Sequence, residues 1–277
     1  MEIVYIWHDC FVVYTDSVTL IFDYWKDTLV CDDSLPLFIR EINRENPVYV
    51  FVSHHHKDHY TTKIFDWIDL FPKIRYILSK DTSKFSRHIL SPNSIYAKKK
   101  PSPEQVTVMS PGDRFEDKYI AVEAFGSTDI GNSYIVTVNG DTVFHAGDLN
   151  AWIWRDESTE EEVSQALSAF RVILDGISMK HPSIDYAMFP VDSRIGSEYY
   201  TGAKIFVKEI YVKHFFPMHF GLGTTHMDQI KYQLDAARIN DYANSERGEY
   251  ICLQSPYSSF RSSPIPEDPC IEKGSAV

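Results

Sequence analysis

Val52-Ser53-His54-His55-His56-Lys57-Asp58-His59-Tyr60 sets His54, His56, Asp58 and His59 within six residues, at the mouth of an apolar stretch. The preceding segment, Pro47 to Ser53, has a Val-Tyr-Val-Phe-Val core that is apolar on both faces and reads as a buried strand bounded by Asn46-Pro47. In extended backbone, side chains two apart share a face, so His54 and His56 can grip one ion while His55 points away. Where the chain then turns, Asp58 and His59 reach a second position close by. Imidazole and carboxylate are ligands that Zn, Mn and Fe accept, and two such pairs at this spacing point to two adjacent divalent ions, with Zn as the leading choice. A solvated polar turn or a tag-like histidine run is the ordinary alternative. Neither carries an internal Asp at the end of an apolar strand.

Working outward, 277 residues with a hydrophobic fraction of 44% can bury a sizeable core, as one large α/β domain or two small ones. The formal charge of −12 disfavours a polyanionic partner such as nucleic acid, whose binding draws on clustered Lys and Arg. The one basic run, Lys98-Lys99-Lys100, precedes Pro101 and reads as a solvated loop. Cys10, Cys31, Cys252 and Cys270 form no CxxC pair and no small-domain framework, which argues against both structural zinc and disulfide stapling and fits a reduced compartment. The chain opens Met1-Glu2-Ile3 without a basic region and has no apolar run of the ~18 residues a membrane span needs, so a soluble, cytoplasmic protein is expected.

Strand signals recur at Ile3 to Trp7, Phe11 to Thr15 and Val18 to Asp23, with His8-Asp9 between the first two. Pro36 to Arg44 and Thr61 to Leu70 carry helical stripes, Lys73 to Leu78 a strand, Ser83 to Leu90 a short helix and Val106 to Met109 a strand. Tyr119 to Phe125 and Ser133 to Val138 follow. Asn139-Gly140 then turns the chain into Thr142 to His145, ahead of Gly147-Asp148. Val163, Ala166, Leu167, Phe170, Ile173, Leu174 and Ile177 recur at helical spacing behind two capping-box candidates, Ser158/Glu161 and Thr159/Glu162. Ile184 to Pro190 and Tyr211 to Pro217 are strands around a helix at Gly202 to Ile210, His226 opens a further helix, and Glu249 to Leu253 is the last strand. Alternation of strand and helix predicts an α/β fold, a four-layer αββα sandwich of two mixed sheets flanked by helices. One domain is expected over 1–257, with an irregular, Pro- and Ser-rich tail over 258–277.

His54-x-His56-x-Asp58-His59 resembles the HxHxDH signature of the metallo-β-lactamase superfamily, whose members use one or two metals to hydrolyse esters, lactones, amides and phosphodiesters. The resemblance covers about Met1 to Tyr257. It implies that Asp148, otherwise an ordinary turn residue, supplies a carboxylate shared by both ions. It further implies that His219, otherwise a core histidine in an apolar run, is the last ligand of the second. The loop holding His8-Asp9, on its own a surface pair, borders the active site in many members. The chain departs from the family at Gly126 to Gly131, where a third His is usual and Ser127, Thr128 and Asp129 stand instead. Asp129 is the available substitute, a harder ligand that favours Mn or Fe alongside Zn; as a plain loop residue it would make an Asx turn. His145 reads as a strand residue and His226 as a helix-start residue with a pocket contact as the alternative.

The expected metal ligands are therefore His54, His56, Asp129 and Asp148 for one ion, and Asp58, His59, Asp148 and His219 for another. A metal-bound hydroxide would serve as nucleophile, and Asp58 would orient it or pass a proton to the leaving group. The expected activity is metal-dependent hydrolysis of a small ester, lactone or phosphodiester, in a branch similar to ascorbate 6-phosphate lactonase. Lys80, Arg155, Lys180 and Arg194 are candidate contacts for a substrate anion, and a homo-oligomer is left open. The rival readings are a nuclease or phosphodiesterase acting on RNA, a mononuclear iron redox protein, and a non-catalytic metal-binding protein of the same fold.

Overall fold

The structure, a computed structural model, describes residues 1–30, 34–91, 100–219, 248–251, 253 and 257–262. Strands β1 (Glu2–Trp7), β2 (Cys10–Tyr14), β3 (Thr19–Phe22), β4 (Val48–Val52), β5 (Ile74–Ser79) and β6 (Val106–Met109) form one sheet, joined at its edge by β14 (Ser259–Arg261). Strands β7 (Arg114–Glu116), β8 (Ile120–Phe125), β9 (Ser133–Val138), β10 (Asp141–His145), β11 (Ser183–Pro190), β12 (Tyr211–Met218) and β13 (Glu249–Tyr250) form the other. Both are mixed. The order in the first is β14-β1-β2-β3-β4-β5-β6, antiparallel as far as β3 and parallel beyond it. The second runs β13-β12-β11-β10-β9-β8-β7, parallel from β13 to β10 and antiparallel onward.

Alternation along β4 shows how the layers arise. Tyr49 and Phe51 join the core between the sheets, while Val48, Val50 and Val52 face an outer cluster with Phe38, Ile64, Phe65 and Trp67. A strand buried on both faces has no polar position to offer, which is why its sequence is apolar throughout. On the far side, α3 (Glu160–Lys180) buries Val163, Phe170, Leu174 and Ile177, and α4 (Thr201–Glu209) stacks Phe206 on Phe144 and Phe189. Of the two capping candidates, Thr159 is the one used. Its hydroxyl accepts from Glu162 N–H, and Glu162 returns a bond to the Thr159 backbone. Helix, sheet, sheet and helix make four layers.

Several boundaries move. Leu37–Arg40 and Thr62–Asp69 are 3₁₀ rather than α, and the 83–90 segment splits at Ser86 into α1 (Lys80–Phe85) and α2 (Arg87–Leu90). The short edge strand β7 carries no clear alternation and was not anticipated. The expected tail boundary at 258 falls too early. Glu2, Ile3 and Val4 pair with Arg261, Phe260 and Ser259, and Phe260 packs on His214 and Phe216, so one aromatic anchors the edge strand. The expected helix at His226, Lys98-Lys99, and Cys31, Cys252 and Cys270 lie outside the described residues; Cys10 is buried and free. Among the described residues no helix is long and apolar enough to cross a membrane.

Candidate metal centre

The C-terminal ends of β1, β3, β4, β10, β11 and β12 converge, which is where α/β sheets place their ligands. Three backbones turn sharply there. His8, Asp23 and His219 have φ of 59°, 44° and 68°, a left-handed geometry that costs a non-glycine residue of order 1 kcal/mol and re-aims the side chain off the strand. The His219 N–H donates to the His8 carbonyl at 3.3 Å, tying the ends of β1 and β12 together. Gly131 and Gly147 let two loops close on Ser53. A Cβ at Gly131, φ +80°, would lie 2.1 Å from the Ser53 carbonyl oxygen and 2.6 Å from His54 Cβ; one at Gly147 would lie 2.7 Å from Ser53 Cβ.

Two sets of ligand atoms meet at Asp148. His54 Nε2 lies 3.3 Å from Asp148 Oδ2 and 3.0 Å from His56 Nδ1, and His56 Nδ1 lies 3.3 Å from Asp129 Oδ2. His59 Nε2 and His219 Nε2 each lie 3.1 Å from the other oxygen, Asp148 Oδ1. His54, His56, Asp129 and Asp148 thus offer one group of atoms within 4.8 Å of one another, and Asp9, His59, Asp148 and His219 offer a second. Asp58 falls in a third group, with His8, His59 and His219. The structure therefore brings His54, His56, His59, Asp129, Asp148 and His219 together around one carboxylate, and sets Asp58 at the margin beside His8, 3.5 Å away. His8 and Asp9 are fully buried, so they are no surface pair. Ser127, not Asp129, makes the local turn bond, its hydroxyl accepting from the Asp129 N–H at 3.2 Å.

Outer carboxylates fix which ring nitrogen faces inward. Asp23 accepts the Nδ1–H of His59 at 3.0 Å and the Ser53 hydroxyl at 2.5 Å, and that hydroxyl oxygen accepts from His54 Nδ1 at 2.9 Å. Asp192 accepts from His219 Nδ1 at 2.9 Å and is itself gripped by Arg194. With each Nδ1–H so engaged, the Nε2 atoms of His54, His59 and His219 point into the centre, the arrangement that metal-ligating histidines adopt. His55 faces away, its ring and backbone N–H both donating to Asp81. His145 is structural. It donates from Nε2 to the Asp9 carbonyl at 2.8 Å and stacks on Phe22.

The residues fit a divalent cation. His59 Nε2, Asp148 Oδ1 and both oxygens of Asp9 are buried without a hydrogen-bond partner, and such atoms are costly unless a charge satisfies them. Protein charges alone already strain to compensate. Burial opposes a proton on His219, yet Asp9 and Asp148 outweigh it and push that imidazole up to about 10, and His59 is likewise held well above the usual range. Burial pushes the Asp9 carboxyl up to about 7 and drives His8 down to about 4.

Trp152 closes one wall. Its indole N–H donates to the Asp148 carbonyl at 2.8 Å and its ring meets His219 edge-on at 5.2 Å. Three candidate anion contacts are already paired: Arg155 with Glu160 and Glu198, Lys180 with Glu123, Arg194 with Asp192. Of these only Arg194 reaches the centre, with Nη2 3.3 Å from His219 Nδ1. A surface groove of about 410 Å³ between Glu2, Tyr14, Glu41 and Arg261 lies toward the opposite ends of β1 and β3 and contributes nothing here.

A family model described as a beta-lactamase superfamily domain matches residues 2–165. No curated protein sequence matches significantly. Among solved structures, the chain is similar to Igni18, a metallo hydrolase from Ignicoccus hospitalis, at 14% identity and TM-score 0.59, covering 95% of this chain and 99% of that one. The YhfI protein of Bacillus subtilis, of metallo-beta-lactamase fold, gives 11%, 0.57, 94% and 100%. CmlA, a diiron beta-hydroxylase from Streptomyces venezuelae, gives 10%, 0.58, 94% and 54%. At these identities the likeness is one of fold.

Proposed function

Because this chain belongs to the β-lactamase superfamily and carries two inward-facing ligand sets on one carboxylate, we propose that it is a dinuclear metal-dependent hydrolase of a small ester, lactone or phosphodiester. The observation that carries this reading is Asp148, whose two oxygens each face a different set. His54, His56, Asp129 and Asp148 Oδ2 would hold the first ion. His59, His219 and Asp148 Oδ1 would hold the second, completed by a carboxylate from Asp9 or Asp58. The chemistry such ions supply when bound is an activated water at neutral pH and polarisation of the scissile oxygen.

The protein's own groups do the rest. Asp23 and Asp192 keep the imidazoles in the ligating tautomer. Trp152 shields the His219 side from solvent. Asp58, its side chain 30% exposed, is the carboxylate placed to orient water or carry a proton to a leaving group. Burial alone would raise its carboxyl, but His8 and His59 hold it below the usual range, so it stays ionised and can accept a hydrogen bond from water. The net charge of −12 supports a small substrate over RNA.

The test is metal quantification followed by a screen of esters, lactones and phosphodiesters with Zn, Mn and Fe. About two ions per chain, with turnover abolished in Asp148→Asn, are expected. Absence of bound ions together with no turnover on any substrate would sink the proposal. Oxygen consumption by iron-loaded protein without hydrolysis would move it to oxidative chemistry.

A further inference from the structure

The HxHxDH motif assigns the second ion's carboxylate to Asp58, but the structure offers a better-placed one. We propose that Asp9, on the turn after β1, is the direct ligand of the second ion and that Asp58 is not. The inference rests on the dinuclear reading above.

Asp9 has no exposed surface, and neither of its carboxylate oxygens has a hydrogen-bond partner. Its Oδ2 lies 3.2 Å from His59 Nε2 and 3.7 Å from His219 Nε2, the two nitrogens that the outer carboxylates aim inward. With Asp148 Oδ1 these atoms close a four-cornered set of two nitrogens and two oxygens, all within 4.8 Å of one another and all from fully or nearly fully buried residues. Four ligands of this kind around one point match what a divalent transition metal accepts. Asp58 falls in a set with His8, His59 and His219 but in none with Asp148. It is partly exposed, and its nearest ionic neighbour is His8 Nε2 at 3.5 Å.

The backbone shows why Asp9 can reach. A register shift in the β1/β2 ladder between Tyr5 and Trp7, then the left-handed turn at His8, aim residue 9 inward. The turn is latched from three sides. His8 N–H donates to the Tyr5 hydroxyl at 2.8 Å, His145 Nε2 donates to the Asp9 carbonyl at 2.8 Å, and His219 N–H donates to the His8 carbonyl. A buried carboxylate fixed so firmly and left without a donor is accounted for by a cation beside it. With Asp9 counted, the second set holds two carboxylates and two imidazoles, as the first does.

The experiment compares Asp9→Asn and Asp58→Asn with the wild type for ions per chain after dialysis, and for Mn and Zn affinity by chelator competition. Asp9→Asn keeps the side-chain shape and should retain one ion, binding the second at least ~100-fold more weakly, at or above the upper end for outer-shell partners. Asp58→Asn should keep both ions within about threefold of wild type, since outer-shell losses begin near tenfold. Loss of the second ion from Asp58→Asn, or its retention by Asp9→Asn, overturns the assignment. If circular dichroism shows Asp9→Asn unfolded, the Asp58→Asn arm decides on the same terms. Fewer than two ions in the wild type removes the dinuclear reading itself, whereas two ions there with retention by Asp9→Asn removes only the role of Asp9.

Discussion

Replacing Asp23 by Asn should weaken both ions at once, although Asp23 touches neither set of ligand atoms as a ligand. In the native site Oδ1 accepts the Ser53 N–H at 2.7 Å, and Oδ2 accepts both the Ser53 hydroxyl and the His59 Nδ1–H. An amide that keeps its oxygen on the Ser53 N–H presents an NH₂ group to two donors. His59 must then move its proton to Nε2, where an ion should bind. Ser53 must turn its own proton toward His54 Nδ1, which forces the His54 proton to Nε2 as well. One ligand of each set is lost to the wrong tautomer. Outer-shell changes of this kind cost 10- to 100-fold in metal affinity, about 1.4–2.8 kcal/mol per ion. At free metal near 100 times the wild-type Kd, the stabilisation per ion should fall from about 2.7 to about 0.4–1.4 kcal/mol. Thermal unfolding with and without metal reads that difference, because the general cost of losing a buried acceptor appears in both arms and cancels. Chelator competition reads the affinities directly. Two ions bound by Asp23→Asn within threefold of wild type would refute the tautomer argument.

Asp192→Asn should act on one ion only, weakening the second about 10- to 100-fold while leaving the first unchanged, because Asp192 orients His219 and no ligand of the other set; stepwise chelator titration distinguishes the two. The metal-free protein should lose stability as pH rises. His219 has its folded pKa raised to about 10, so its contribution is fully present below about pH 6.5 and is lost as pH climbs through about 10. The raised Asp9 carboxyl acts in the same direction up to about pH 7. Ions that replace these protons should flatten the melting temperature between pH 6.5 and 10, and binding the second ion at neutral pH should release about two to three protons, from His59, His219 and the part-protonated Asp9. Calorimetry in buffers of different ionisation enthalpy counts them, and a release near zero contradicts the protonation scheme.

The fold was legible because its strongest signals are local. The apolar run of β4 could only be a strand covered on both faces, Asn139-Gly140 could only be a tight hairpin, and the stripe from Val163 to Ile177 with its Thr159/Glu162 cap declared a helix. Asn139 and Gly140 duly take φ of 53° and 89°. Elements whose identity depends on distant partners were not legible. The edge strand β7 exists because Arg114, Phe115 and Glu116 pair with Glu123, Val122 and Ala121, and β14 because Phe260 finds His214 and Phe216. Whether the stripes at 37–40 and 62–69 close as α or 3₁₀ turns is likewise a matter of packing on β4 rather than of periodicity.

For the centre, spacing located the residues but not their partners. His54 and His56 reach one ligand set from the segment just past the end of β4, while His55 between them turns to Asp81. Asp58 and His59 are adjacent in sequence and share one ligand group, but His59 turns its Nδ1 to Asp23 and its Nε2 to Asp148, while Asp58 sits partly exposed beside His8. Asp9 carried no signal beyond its neighbour His8, because nothing in Trp7-His8-Asp9-Cys10 announces a left-handed turn. A carboxylate that follows a histidine at a strand end is ordinary on a surface. It becomes informative only when both side chains are buried against other ligands. The same holds for Asp23 and Asp192, each the first polar residue after an apolar strand and each pinning an imidazole. Pairing every inward histidine with a carboxylate at the end of a neighbouring strand would have found both from sequence, since a buried Nδ1–H needs an acceptor and the parallel register of β3 with β4, and of β11 with β12, puts those ends side by side.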